Sequence, residues 1–145
     1  MANVSVWNIL SVTIHLHEIR VYYEDTDAGG IVYYANYLKF LERARTEWLR
    51  ALGIEQDLLL EQSIGFVVKR VELDYKAAAR FNQLLRVESR LSNVKRASLQ
   101  FEQNIVDQNN KVLVCASVKV ACVNLLDMKP LAIPTFILGE LSSVR

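Results

Sequence analysis

An α+β fold, one long helix laid on an antiparallel sheet, is what this sequence predicts, and three observations predict it. Only residues 35–52 carry apolar side chains at helical spacing over several turns: Tyr37, Phe40, Leu41, Ala44, Trp48, Ala51 and Leu52. Almost everything after Ser63 reads instead as strands, with stretches of clear period-two alternation. The breaks between those strands are short, and short connections join antiparallel neighbours. A helix with a wide apolar face needs a sheet to cover it, so two layers follow. The 145 residues fit a single domain, 1–145. At that size folding hides roughly 68–70% of the unfolded chain's surface, enough for a core without staples.

The elements follow in order. A strand is expected between Ile14 and Tyr23, cleanest from Glu18 onward, and Gly29-Gly30 interrupts the chain after it. The helix then runs about 18 residues, about 27 Å at 1.5 Å per residue. Lys39, Glu42, Arg43, Thr46, Glu47 and Arg50 lie on its outer side and Gly53 stops it. Glu55 to Gln62 reads as a short amphipathic helix. Strands are expected at Gly65–Tyr75, Leu84–Asn93, Ala97–Asp107 and Val112–Leu126, with Gln108–Lys111 as a hairpin turn. Pro130 and Pro134 end regular structure, leaving Ile137–Leu141 as a last helical turn.

Composition narrows the function. Charged residues make up 23% and the formal net charge is +1 with no long basic block, which argues against general nucleic-acid binding. No run reaches the roughly 18 apolar residues of a membrane helix. The first residues lack a basic region and a cleavage site, so a secretory signal is not expected. They read as an N-terminal extension over 1–18. Cys115 and Cys122 stand seven residues apart in one strand, too far for a disulfide and wrongly spaced for zinc. Buried free thiols in a reducing, cytoplasmic setting are expected.

The chemistry concentrates in Tyr22-Tyr23-Glu24-Asp25-Thr26-Asp27-Ala28-Gly29-Gly30-Ile31-Val32-Tyr33-Tyr34-Ala35-Asn36-Tyr37. Acids and adjacent glycines meet there just ahead of a helix start, where unpaired N–H groups carry partial positive charge. A carboxylate beside such an anion site can attack a carbonyl while the oxyanion is held. Gly29 and Gly30 permit a tight turn and leave room for a substrate to approach. As a calcium loop the segment fails: with Asp25 at position 1, Gly29 falls at 5 and Asn36 at 12, neither a carboxylate. His15 and His17 share a strand face, yet no third ligand is suggested nearby, and a surface strand is expected.

The same run, with Phe40-Leu41-Glu42-Arg43-Ala44-Arg45-Thr46-Glu47-Trp48-Leu49-Arg50 and Met128-Lys129-Pro130, closely resembles the 4-hydroxybenzoyl-CoA thioesterase type of acyl-CoA thioesterase, and within it the Tol-Pal-associated subgroup. The resemblance covers the chain from Arg20 onward. It implies the hotdog fold, a long helix wrapped by a five-stranded antiparallel sheet, in subunits that form dimers or dimers of dimers, a homotetramer. It implies hydrolysis of an acyl-CoA to the acid and free coenzyme A, with Asp27 as nucleophile or general base. The N–H of Tyr34 would polarise the carbonyl; Gly29, Gly30, Ile31 and Val32 would line the thioester, and Lys95 and Arg96 would meet the coenzyme A phosphates. Lys69 and Arg70 are weaker candidates for that contact. No metal or bound cofactor is expected. Many members of the subgroup have histidine where this chain has Tyr34, whereas the aryl-thioesterase branch has tyrosine. Two rivals accompany this reading: a catalytically idle hotdog protein that binds a partner, and a dehydratase, which would need a His–acid pair in the glycine-rich turn.

Overall fold

The computed structural model describes residues 13–145, so most of the N-terminal extension (1–12) lies outside the described residues. The strands are β1 (His15–Arg20), β2 (Ile64–Tyr75), β3 (Leu84–Val94), β4 (Ser98–Val106), β5 (Val112–Asn124) and the two-residue β6 (Lys129–Pro130); the helices are α1 (Asn36–Ala51), α2 (Gln56–Glu61) and α3 (Thr135–Ser143). All strand pairs are antiparallel, in the order β1-β3-β4-β5-β2 with β6 on β5. The five long strands and the helix lying on them are the expected hotdog architecture.

Register places Leu91, Ser89 and Val87 of β3 opposite Phe101, Gln103 and Ile105 of β4. Those in turn face Val118, Ala116 and Val114 of β5. This inner face meets Tyr37, Phe40, Leu41, Ala44 and Trp48 of α1, all buried. The apolar face expected of the helix is therefore core. A bulge between Val68 and Arg70 in β2 keeps Val68 and Val71 on that same inner face, opposite Val120 and Val118. Gly53, with φ +82°, turns the chain out of α1 at a geometry that a side chain would strain.

Differences from expectation have local causes. β1 stops at Arg20, because Tyr23–Asp25 forms a 3-10 turn closed by the Asp25 side chain. α1 spans 16 residues and opens at Asn36. The C-terminal turn is longer than Ile137–Leu141: α3 covers nine residues and buries Ile137 and Leu141. Cys122 is buried and Cys115 half-buried, both free, and burial pushes the Cys122 thiol up.

His15 corrects the surface-strand expectation. Its ring stacks on Trp48, with centroids 5.7 Å apart, and its buried Nδ1 has no hydrogen-bond partner among the described residues. Burial lowers its pKa, the charge on His17 adds to that, and Glu47 opposes both. The folded protein thus protonates His15 at a lower pH than the unfolded chain, which takes a proton near the usual value of about 6.5. Stability from this group is present above that pH and is lost as pH falls below it. His15→Phe, which keeps a ring on Trp48, should flatten the fall in urea midpoint on acidification; an unchanged slope would contradict this assignment.

Candidate active site

The site is built by a chain of backbone bonds that ties the acidic turn to the start of α1. Val21 is pinned beside β3: its N–H donates to Gln83 O (2.9 Å) and its carbonyl accepts from Asn82 N–H (2.9 Å). The buried Asp25 accepts the Tyr22 N–H on Oδ2 at 2.8 Å and so orders the 3-10 turn. Thr26 then pairs with Val32 as an antiparallel bridge. Inside that bridge, Asp27 N–H donates to Ile31 O (2.9 Å) and Gly30 N–H to Asp27 O (3.0 Å). Gly30 sits at φ +77°, a left-handed position that favours glycine.

Asp27 rides at the exposed tip of this turn. Its Oδ1 accepts the Gly29 N–H at 2.8 Å, while Oδ2 has no partner among the described residues. A Cβ at Gly29 would come within 3.2 Å of Oδ1, crowding the carboxylate.

The return arm reaches the helix directly. Tyr33 N–H and Asn36 Nδ2 both donate to Asp25 O, each at 2.9 Å. Asn36 N–H donates to Tyr33 O at 2.8 Å. Ala35 occupies the N-cap without a side-chain cap, and the first turn holds no acid. The N–H groups of Tyr34 and Ala35 donate to no acceptor among the described residues. An uncapped helix start with unused donors is suited to an oxyanion. Tyr75 at the end of β2 steadies it, its hydroxyl donating to Tyr34 O at 3.0 Å.

Asp27, Gly29, Gly30, Ile31 and Tyr34 thus share one turn and the adjoining helix start. Val32 belongs there by backbone only: its side chain is in the core and its N–H is taken by Ala79 O at 2.9 Å. Lys95 and Arg96 are not brought in. They occupy the exposed turn after β3, whose 11 residues begin near the site and run away from it; at about 3.3 Å per residue the ends of that strand are about 33 Å apart. Lys69 and Arg70 are exposed on β2, an edge strand of the sheet. Sequence reasoning missed Asn36 and Tyr75, whose roles rest on contacts between distant segments. It also left open which residues cover the site: Tyr22, Tyr23, Tyr33, Tyr34, Tyr75 and Phe81 stand exposed around it.

Comparison with known proteins bears on the fold and the family. Residues 21–141 match the family model described as the thioesterase-like superfamily. The chain is 56% identical over 117 residues to "Acyl-CoA thioesterase YbgC" of Haemophilus influenzae, covering 80% of this chain and 85% of that protein. It is 43% identical over 131 residues to "Acyl-CoA thioester hydrolase YbgC" of Escherichia coli, covering 90% and 98%. Among solved structures, a probable thioesterase from Bartonella henselae superposes with a TM-score of 0.78 at 37% identity, covering 83% of this chain and 99% of that one. The protein, with Asp27 and an uncapped helix start joined on a hotdog scaffold, belongs to the thioesterase-like superfamily.

Proposed function

We propose that this chain hydrolyses acyl-CoA thioesters to a carboxylic acid and free coenzyme A. The observation that carries the proposal is the pairing of a half-used Asp27 carboxylate with unused N–H groups at Tyr34 and Ala35, bridged by Asp25 and Asn36. In this reading the thioester carbonyl oxygen rests on the Tyr34 N–H, where the helix dipole favours the growing negative charge. Asp27 Oδ2 either attacks the carbonyl carbon, expelling the coenzyme A thiolate and leaving a mixed anhydride for water to cleave, or takes a proton from the attacking water. Tyr34 acts through its backbone, so tyrosine in place of histidine leaves that role intact. The curated relatives named above as acyl-CoA thioesterases support the substrate class.

The site sits on an open surface within one chain, and the exposed Val68, Val71 and Tyr75 lie along β2, whose outer edge no other described strand pairs with. We propose that a second copy joins there, closes the site and brings its own Lys95 and Arg96 to the coenzyme A phosphates, the dimer or a pair of dimers working in the cytoplasm. The test is release of free thiol from a panel of acyl-CoAs running from short to long and aromatic chains. Turnover of at least one member well above the uncatalysed rate is expected; no thiol release from any member would leave the idle, partner-binding reading in its place.

A further inference from the structure

A second feature of α1 is unrelated to the acidic turn. Arg45 is only 9% exposed, pointing at the sheet among apolar side chains. Its Nη1 donates to Gln103 Oε1 at 3.0 Å, and its guanidinium carbon stands 6.0 Å from the centre of the Phe101 ring. A guanidinium has five N–H donors, and this bond is its only one among the described residues. Among those residues no carboxylate is within ion-pair distance of it. Burial disfavours the charge on Arg45, and Glu42 on the same helix counters it from farther away. Guanidinium groups keep their proton in proteins, so the cation stays, and buried cations are ordinarily paired.

The place for a partner is beside it. Arg45 lines a cleft of about 90 Å³ walled by Leu49, Phe66, Val68, Leu99, Phe101 and Val120, with Glu42, Thr46 and Gln56 completing its lining. That volume far exceeds the roughly 10–15 Å³ a single water needs. It suits a charged head and a short tail and is too small for a long chain. The Glu42 carboxylate is engaged by the Thr46 hydroxyl at 3.1 Å. A fixed fork of donors inside apolar walls matches the two oxygens of a carboxylate carrying an apolar tail.

We propose that this cleft binds a small monocarboxylic acid with a short aliphatic or aromatic tail, its carboxylate on the unused donors of Arg45 and its tail on Phe66, Val68 and Phe101. Arg45 lies nine residues beyond Asn36, about 14 Å along the helix at 1.5 Å per residue. The site is therefore separate from Asp27 within one chain, and binding there needs no turnover.

The experiment titrates the full chain with butyrate and benzoate, and with their neutral amides, by calorimetry. Saturable binding of an acid is expected, with the matching amide at least about tenfold weaker. Arg45→Met should weaken acid binding at least about tenfold. Gln56→Trp, which narrows the cleft from α2 without touching Arg45, should do the same and serves if the arginine variant fails to fold. Absence of saturation, equal binding of acid and amide, or acid binding that survives both substitutions would overturn the proposal. A carboxylate from a second copy already seated on Arg45 would show as absence of saturation.

Discussion

Asp27→Asn is expected to lower kcat for thioester hydrolysis by about 10²–10⁴-fold, the range a positioned acid–base group contributes. The fold should be untouched. Asp27 is exposed, and its one side-chain hydrogen bond among the described residues, from Gly29 N–H to Oδ1, can be accepted equally by the asparagine oxygen. The turn itself is closed by backbone bonds from Asp27 N–H to Ile31 O and from Gly30 N–H to Asp27 O. What is lost is the charge and lone pair of Oδ2. The melting temperature should stay within error, and KM should change much less than kcat. Activity within a few-fold of the parent would remove Asp27 from the chemistry.

The largest effect on stability should come from Gln103→Leu, about 2–4 kcal/mol by urea denaturation. Gln103 is fully buried. Its Oε1 accepts from Arg45 Nη1 (3.0 Å), while its Nε2 donates to Leu41 O (3.1 Å) and Ser89 Oγ (3.0 Å). Leucine fills similar space but removes the one hydrogen bond that the Arg45 guanidinium makes among the described residues, and a buried group so orphaned forfeits its solvation. Combining the change with Arg45→Met should recover part of the loss, since the orphaned cation goes too. A loss under about 1 kcal/mol, or strictly additive variants, would show that the network matters little.

The architecture was largely legible because period two and period 3.6 separate cleanly in this chain. Leu85, Val87, Ser89 and Leu91 alternate with Arg86, Glu88 and Arg90 as the register of β3 requires. The apolar spacing from Tyr37 to Trp48 marks the buried face of α1. The acidic turn was legible as a seam where acids and glycines precede a helix start, but loop and cap uses of aspartate are common, and it was the resemblance of residues 20–37 to the thioesterases that singled out Asp27. Two things were hidden. Arg45 falls on the apolar face between Leu41 and Trp48, a position that periodicity marks as core, yet a charged residue there shows its partner only once β4 brings Gln103 beneath it. Likewise His15 looks like a strand-surface residue until α1 lays Trp48 against it. Both depend on pairs 58 and 33 residues apart, which no local pattern encodes.

The most direct measurement is a crystal structure of the Asp27→Asn protein holding an intact acyl-CoA. The thioester oxygen should lie about 2.7–3.1 Å from the Tyr34 nitrogen, with the substituted amide side chain at position 27 facing the carbonyl carbon or a water beside it. An acyl group bound with its carbonyl remote from the first turn of α1 would contradict the account.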